Sequence, residues 1–372
     1  MRQAIDLINK IWALRVRKLA LAVVGFNLAG CAVTDSTDST APPQAAAAPQ
    51  SIDEGLFVTI NGVEQWITIR GSDRRNPVLL VLHGGPGIGS SQTAPAWMPW
   101  EKNFTVVQWD QPASGATYAK NIGKDVGPLT IERYRRDGIA VTEYVINHLH
   151  KDKVVLYGTS WGTLLGLEMA NARSDLFNGY IGVSQVGGPK ADALGYQLAL
   201  KAARDRNDAK AIADLERVGP PPYTKFEDFL VRQTYTNPPG LPPTPQEAAA
   251  IGEMVKQMMA PPDPNANYIP KGLPSYDGTK AFLETIGAMW QQEFAWDPYK
   301  LKLSFAMPVM ILNGDHDFNT PAETAMELCH AISAPVKHCE VIPGYGHGLI
   351  PSQFIRERAD QYILPVVRAS ER

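Results

Sequence analysis

The sequence predicts an α/β fold in which a mostly parallel β-sheet carries helices on both faces and accommodates one mainly helical insertion. Three observations predict it. Continuously apolar segments of strand length alternate with stretches in which apolar residues recur at helical spacing, which is typical of a parallel sheet buried on both faces. The alternation stops between residues 187 and 297 and then resumes. Around Ser160 an apolar strand pattern turns into a helical pattern within about two residues.

The predicted sheet opens with an antiparallel hairpin. Residues 56–60 and 63–70 have the composition of strands and are joined by Asn61-Gly62, the pair that most favours a two-residue hairpin turn. A helix is predicted at 130–149 from the spacing of its apolar residues. Buried strands are predicted at 77–85, 104–111, 153–157 and 179–186 before the insertion, and at 309–313 and 339–343 after it.

The insertion is set apart by its proline content. Helical stretches such as residues 195–218 are broken by proline-rich segments at 219–223, 237–245 and 260–274. The functional interpretation is that the insertion forms a lid over an active site. The alternative is an insertion that only adds packing. The chain is therefore divided into a lipoprotein-type signal at 1–31, a flexible tether at 32–50, a first core segment at 51–186, a cap at 187–297 and a second core segment at 298–372.

The composition is that of a globular protein. The 372 residues, of which 44% are hydrophobic and 20% charged, suffice for one large domain with an insertion or for two domains. A formal net charge of -3 argues against a nucleic-acid partner.

The amino-terminal residues resemble an export signal. Basic residues at 15–18 precede the apolar run 19–26, which is shorter than the roughly 20 residues of a membrane span but suits the core of a signal peptide. Leu28-Ala29-Gly30-Cys31 resembles the lipobox of bacterial lipoproteins, which implies cleavage before a lipidated Cys31. We expect an exported protein, lipid-anchored to a bacterial membrane and facing the periplasm or the cell exterior. A plain secretory signal with an incidental cysteine, or an uncleaved anchor, is the alternative.

Ser160 is the candidate nucleophile. It stands in a G-x-S-x-G pattern between Gly158 and Gly162, after the apolar run 154–157 and before a helical pattern. So sharp a turn from strand to helix needs the glycines, lifts the serine hydroxyl clear of the sheet and directs a helix N-terminus at whatever the hydroxyl attacks. A serine that only caps the helix is the alternative.

Two later loops carry the candidate acid and base. His347 lies between glycines after a predicted strand, and it completes the chain order serine, acid, histidine that this class of hydrolase requires. A serine hydroxyl needs an imidazole to take its proton, and the imidazole needs a carboxylate to fix its tautomer. Asp317 is preferred as the acid because it occupies the fourth position of a G-x-x-D-x-x-x-P pattern, and Asp315 is the alternative.

The glycine-rich loop His83–Gly87 is the candidate oxyanion cradle, because glycines let backbone amides converge where a side chain would block the substrate. The predicted donors are the amides of Gly85 and of Trp161, the residue after the nucleophile. A phosphate-binding loop is the competing interpretation, but the sequence has no G-x-x-x-x-G-K-[ST] pattern.

Cys329 and Cys339 are the cysteines that remain after Cys31. Their spacing fits no common zinc site, and in an oxidising compartment they could form a disulfide. Two buried free thiols are an equal alternative.

At these residues the sequence resembles the proline iminopeptidase (prolyl aminopeptidase) family of α/β-hydrolases. The shared features are the glycine-rich loop, Trp109-Asp110-Gln111, the Ser160 motif, the Asp317 loop and Gly346-His347, and they occur in the family's order on both sides of the insertion. The resemblance implies an α/β-hydrolase fold with Ser160 as nucleophile, His347 as base, Asp317 as acid and Gly85 and Trp161 as oxyanion donors. It implies no metal or organic cofactor.

The sequence departs from the family in two places. Family members usually continue Asp-Gln with Arg-Gly, whereas here Pro112-Ala113 follows. Carboxylates in the family's cap hold the free amino end of the substrate, and Glu293 is the candidate here, with a solvated helix residue as the alternative. The acidic candidates Glu227, Glu284 and Glu293 stand among the aromatic residues Phe226, Trp290 and Phe294, which could line an apolar slot.

These features predict a serine hydrolase that acts through an acyl-enzyme on a small peptide or ester. An aminopeptidase that releases an N-terminal residue, with proline favoured, is the leading interpretation. An esterase or lactonase of the same fold is the alternative, since fold and triad do not determine the substrate. Epoxide hydrolases and dehalogenases carry a loop that resembles His83–Gly87, but they use an aspartate nucleophile. Ser160 therefore argues against them. A non-catalytic binding module of hydrolase fold is a more remote alternative, and the oligomeric state is left open.

The signal predicts a lipid on Cys31 of the mature protein, because the tether that follows has no apolar segment able to hold a membrane. Intact-mass measurement of the mature protein should therefore find an acylated Cys31 as first residue. Cys31→Ser should release the protein into the soluble fraction or stall its processing. A different first residue without acyl mass would leave an ordinary secreted protein.

Overall fold

The computed structural model describes residues 49–236, 245–246, 248–252 and 270–371. Ser51–Arg372 form one compact unit, which contains both predicted core segments and the cap between them. The predicted signal, Cys31 and most of the tether lie outside the described residues. No helix of the described residues is long and apolar enough to cross a membrane.

The core is an eight-stranded sheet in the order β1-β2-β4-β3-β5-β6-β7-β8. Strand β2 runs antiparallel to β1 and β4, and the other neighbouring strands are parallel. The predicted hairpin is present, with Asn61 and Gly62 in the left-handed conformation that a tight turn needs. The strands are β1 Ile52–Ile60, β2 Val63–Gly71, β3 Val78–Leu82, β4 Thr105–Trp109, β5 Val154–Thr159, β6 Phe177–Val183, β7 Val309–Gly314 and β8 Lys337–Ile342.

Helices cover both faces of the sheet and form the cap. The helices of the first core segment are α1 Gly115–Lys120, α2 Ile131–Leu149 and α3 Trp161–Ala172. The described helices of the cap are α4 Pro189–Asp205, α5 Ala209–Val218, α6 Phe226–Thr236 and α7 Gly278–Ala295. The helices of the second core segment are α8 Ala322–Ala331, α9 Ser352–Tyr362 and α10 Leu364–Ser370. Short 3-10 helices lie at Ser91–Trp100, Ser174–Leu176 and Pro298–Lys300.

Alternate residues of the central strands point into two separate apolar cores. In β3, Leu80 packs in the core beneath α2, α3 and α8, whereas its neighbours Leu79 and Val81 pack on the opposite face beneath α9 and α10. Burial on both faces is the reason that these strands are continuously apolar in the sequence. The predicted mostly parallel sheet with helices on both faces is confirmed, and the described part of the cap is mainly helical.

The cap differs from its prediction in one respect. The helical pattern at 195–218 is two helices, because the chain turns at Asn207, which has a φ of 54°, and Asp208 caps α5 by accepting a hydrogen bond from the amide of Ala211. Helix α4 approaches the core so closely that a Cβ at Gly195 would lie 2.2 Å from the carbonyl oxygen of Phe318. The cap therefore packs directly on the loop after β7.

A disulfide joins Cys329 of α8 to Cys339 of β8, with the two Cα atoms 6.1 Å apart. Helix α8 follows the loop that carries Asp317, and β8 precedes the loop that carries His347. The bond therefore ties together the elements on which both loops depend.

Removing this bond should lower the free energy of unfolding by about 2 to 3 kcal/mol, because a closed loop of this length restricts the unfolded chain by roughly that amount. The sequence separation of its cysteines is 10. Denaturant unfolding of the Cys329→Ala/Cys339→Ala variant against the oxidised wild type measures the difference. Wild-type protein held in reductant is the control and should match the variant; equal midpoints for all three would contradict the prediction.

Candidate active site

Ser160 lies in a sharp turn between β5 and α3, with a φ of 53° and a ψ of -123°. The turn depends on two close backbone contacts: a Cβ at Gly158 would lie 2.4 Å from the carbonyl oxygen of Gly162, and a Cβ at Gly162 would lie 2.0 Å from that of Leu82. Only glycine fits at either position. The Ser160 side chain does not cap α3, so the helix-cap alternative does not describe it.

The structure brings the three candidate catalytic side chains into one hydrogen-bonded line. His347 Nε2 lies 2.9 Å from Ser160 Oγ, and His347 Nδ1 lies 2.9 Å from Asp317 Oδ2. With Asp317 accepting the proton of Nδ1, the unprotonated Nε2 faces the serine hydroxyl. This is the arrangement in which an imidazole can take the proton of a serine.

Asp317 is held as a carboxylate. It is 1% exposed, and burial acts to raise its pKa, but the His347 ring and hydrogen bonds from His347 and Thr320 hold that pKa below its usual value. Thr320 donates through its amide at 2.7 Å and through its hydroxyl at 2.8 Å. Asp317 is therefore ionised at the near-neutral pH at which a histidine acts as a general base.

Asp315, the alternative acid, lies elsewhere. It is exposed, and its carboxylate accepts a hydrogen bond of 2.7 Å from the amide of Gly344. This bond links the loop after β7 to the loop after β8 and makes no contact with the imidazole. The structure thus places Asp317, and not Asp315, against His347.

The glycine-rich loop after β3 lies beside the nucleophile. A Cβ at Gly84 would lie 3.5 Å from Ser160 Cβ, and Gly85 has a φ of 124°, where a Cβ would lie 2.6 Å from the amide nitrogen of Gly87. Trp161 is the first residue of α3, so its amide is among those that have no acceptor within the helix. Both predicted oxyanion donors therefore belong to segments that border Ser160.

A buried polar network supports the glycine-rich loop. The Gln111 side chain donates to the carbonyl oxygen of His83 at 3.2 Å and accepts from Trp161 Nε1 at 2.9 Å, so it joins both donor segments. His83 Nε2 accepts from the amide of Gln111, and its Nδ1 donates to the carbonyl oxygen of Gly84. Burial lowers the pKa of His83, which keeps the ring neutral and suits it to this tautomer.

The loop that departs from the family is held by other contacts. Tyr134 donates its hydroxyl proton to the carbonyl oxygen of Pro112 at 2.8 Å, and Thr285 of the cap donates to that of Ala113 at 3.2 Å. Ala113 has a φ of 59°, so it keeps the left-handed backbone that favours the glycine usual in the family. Contacts from a core helix and from the cap thus hold this loop without the arginine.

Three charged residues of the cap come together near the triad. Arg232 of α6, only 1% exposed, donates to Asp192 Oδ1 of α4 at 3.3 Å. Burial raises the pKa of Glu293 of α7 to about 8, and Asp192 raises it further while Arg232 opposes the shift. Burial likewise raises the pKa of Asp192 to about 6, against the effect of Arg232. The cluster therefore holds two half-buried acids around one buried guanidinium group.

The other acidic candidates lie outside this cluster. Glu227 is exposed, and Glu284, with 52% of its side chain exposed, pairs with Lys280 on the surface of α7. The aromatic residues Phe226, Trp290 and Phe294 pack on one another and on Phe229 in the cap's own core, and Arg232 lies 5.6 Å above the Phe294 ring. Asp192 and Arg232 were missed by sequence reasoning, because no motif marks them.

The described residues contain no group of three or more histidine, cysteine, aspartate or glutamate side chains that could hold a metal ion.

In comparisons with known proteins, the model of the alpha/beta hydrolase family matches residues 78–362 of the chain. The chain belongs to the alpha/beta hydrolase family. It is 28% identical over 284 residues to the probable aminopeptidase YbaC of Bacillus subtilis (strain 168), an alignment that covers 75% of this chain and 86% of the relative.

Solved structures share the fold. The chain is similar to a proline iminopeptidase-related protein from Thermus thermophilus, with a TM-score of 0.55, 19% identity and coverage of 85% of this chain and 99% of the other. It is also similar to a putative lipase from Acinetobacter baumannii AYE, with a TM-score of 0.53, 18% identity and coverage of 85% and 93%. At these identities the two structures show the fold alone.

Alanine substitution of Ser160 or His347 should lower turnover on the order of 10³- to 10⁶-fold, and that of Asp317 steeply, with little change in fold. Each substitution removes one member of a unit that moves a proton. Turnover of a chromogenic amide and circular dichroism of each variant measure the two effects.

The neighbouring aspartate provides the control. Asp315→Ala removes an exposed carboxylate two residues from Asp317 that accepts a hydrogen bond from Gly344 in the adjoining loop, so it should keep most activity. An inactive Asp315→Ala together with an active Asp317→Ala would reverse the assignment of the acid.

Proposed function

We propose that this protein is a serine hydrolase that works through an acyl-enzyme as an aminopeptidase, releasing the N-terminal residue, preferably proline, from short peptides. The observation that carries the proposal is a Ser160–His347–Asp317 line together with two half-buried cap carboxylates, Asp192 and Glu293, which interact electrostatically with the buried Arg232. The triad geometry supports acyl transfer, and the cap carboxylates support a substrate that carries a positive charge.

The chemistry follows from the triad. Ser160 Oγ attacks the carbonyl carbon of the scissile amide while its proton passes to His347 Nε2. The amides of Gly85 and Trp161 stabilise the negative charge that develops on the carbonyl oxygen. His347 then gives the proton to the leaving nitrogen, the C–N bond breaks, and the acyl group remains on Ser160. Water, deprotonated by His347, attacks the ester, and release of the free acid returns the proton to Ser160 Oγ.

The cap charges support recognition of an amine. When Asp192 and Glu293 are both ionised, Arg232 compensates one of the two charges, so these three described side chains together carry a net negative charge. An ammonium group would satisfy that charge, whereas a carboxylate would be repelled. An ammonium site in the cap, linked to the catalytic base through Arg232 and Asn319, suits a substrate whose charged amine lies one residue from the bond that is cut.

The preference for proline is supported by resemblance. The motifs are those of the proline iminopeptidase family, and the relative from Bacillus subtilis bears the name of an aminopeptidase. Its identity of 28% supports the class of reaction more than the residue that is released.

Export with a lipid on Cys31 is part of the proposal. The Cys329–Cys339 disulfide supports it, because such bonds form and persist in oxidising compartments outside the cytosol.

A prolyl or alanyl arylamide with a free amine should be cleaved at least about tenfold faster, in kcat/KM, than its N-acetylated form. The loss of one charged hydrogen bond is worth roughly 1.5 to 3 kcal/mol, which corresponds to this factor or more. Initial rates of arylamine release with the two substrates measure the ratio.

Glu293→Gln should abolish most of this selectivity, while Glu284→Gln, an exposed acid on the same helix, should preserve it. The carboxylate form of Glu293 is the one that attracts an ammonium, and its pKa is raised to about 8. In the wild type, kcat/KM for the free amine should therefore keep rising to about pH 8. In Glu293→Gln that final rise should be absent.

Two outcomes would favour other functions. Equal kcat/KM for free and blocked amides, or cleavage of p-nitrophenyl esters alone, would overturn the peptidase proposal in favour of an esterase or lactonase. Failure of a fluorophosphonate probe to label either the wild type or Ser160→Ala would favour a binding module.

A further inference from the structure

Asn319 connects the charged cluster of the cap to the catalytic base. Its Nδ2 lies 3.3 Å from His347 Nε2, and its Oδ1 accepts a hydrogen bond of 3.0 Å from Arg232 Nη1. Its backbone amide donates to Asp317 Oδ1 at 3.0 Å. One side chain on the loop after β7, here called the acid loop, therefore contacts the cap with one end and the imidazole with the other.

Arg232 determines which end of the Asn319 amide faces the histidine. A guanidinium has only donors, so it accommodates the amide oxygen and not the NH₂ group. Arg232 is itself fixed, because it is buried, donates to Asp192 and lies over the Phe294 ring. If the amide were reversed, its NH₂ group would face the N–H donors of Arg232. The NH₂ group is therefore the end that His347 meets.

The NH₂ group approaches the nitrogen that must accept the serine proton. Nδ1 is committed to Asp317, so the lone pair of Nε2 is the acceptor for Ser160 Oγ at 2.9 Å and for Asn319 at 3.3 Å. A donor at this place stabilises the neutral ring, keeps it in the plane of the triad and offers no acceptor to a protonated ring.

We propose that Asn319 is a positioning residue for His347 and that Arg232 sets its orientation from the cap, so that the ammonium site and the catalytic base form one hydrogen-bonded unit. The chain of contacts runs from Asp192 through Arg232 and Asn319 to His347. It deepens the proposed function and rests on it, since it requires that Ser160 and His347 catalyse acyl transfer.

The unit couples recognition of the amine to the rate of acylation. An ammonium bound by Asp192 and Glu293 draws Asp192 away from its 3.3 Å contact with Arg232, which leaves the guanidinium directed at Asn319. A free-amine substrate then gains in kcat and not only in KM. The charged groups around the base are Asp317 on the acid loop and, from the cap, Asp192 of α4, Arg232 of α6 and Glu293 of α7.

The test is the rate at which a fluorophosphonate probe, which carries no amine, labels Ser160 as a function of pH. Asn319→Ala should slow labelling at neutral pH by about tenfold, because the imidazole is no longer held in line with Ser160 Oγ. Asn319→Asp, which has nearly the same shape, should move the acidic limb of the pH profile upward by about one pH unit or more, since a carboxylate stabilises the protonated ring.

Arg232→Lys keeps the positive charge beside Asp192 but loses the planar fork that holds the Asn319 oxygen. It should slow labelling several-fold, and with the prolyl arylamide it should lower kcat as well as raise KM. Asn171→Ala is the matched control, because Asn171 also accepts a hydrogen bond through its side chain but lies exposed near the end of α3. It should label at the wild-type rate.

The outcomes separate the two proposals. A wild type that the probe does not label overturns the serine hydrolase itself. The role of Asn319 is overturned if the probe labels the wild type, Asn319→Ala and Arg232→Lys at equal rates and the acidic limb is unmoved in Asn319→Asp. That result would not contradict the serine hydrolase proposal. A moved acidic limb in Asn319→Asp, with native thermal unfolding, supports contact between this side chain and the base.

Discussion

The contact between the start of α3 and the end of β3 is the constraint on which the site depends. Gly162 lies against the carbonyl oxygen of Leu82, and a single added carbon would meet that oxygen at 2.0 Å. This approach puts the amide of Trp161 beside the glycine-rich loop that follows β3, and it leaves Ser160 at the apex of the turn. The nucleophile and both predicted oxyanion donors thus depend on one backbone packing contact.

Parallel strands bring the rest of the site to the same edge. Strands β6, β7 and β8 lie side by side and run in one direction, so the loops that follow them meet at their carboxyl ends. The loop after β6 contributes Ser184, whose hydroxyl accepts a hydrogen bond of 3.0 Å from the amide of Gly348 beside the base. Together with the Asp315–Gly344 contact, this bond links the His347 loop to the loops that follow β6 and β7.

Much of this could be predicted from the sequence, because it is encoded locally. Strand alternation predicts the sheet, and the glycines around Ser160 predict the turn, since a backbone contact of this kind excludes every other residue. Asp315 and Asp317 could be ranked only by a spacing pattern. In the structure they differ because Asp317 is buried and faces His347, whereas Asp315 is exposed. The break at Asn207 was missed, because the apolar spacing continues across it while the backbone does not.

Of the charged unit of the cap, only Glu293 was a candidate from the sequence, because its members are brought together by tertiary packing. Asp192, Arg232 and Glu293 come from three helices that lie far apart in the chain, and each alone has the character of an ordinary surface charge. Burying such a group costs several kcal/mol unless it is paired, and the structure leaves the cluster one positive charge short of balance when both acids are ionised. Under the proposed function, a cation that binds there restores the balance, so selection of a cationic substrate and stability of the cap depend on the same three side chains. Asn319 links this cluster to the base.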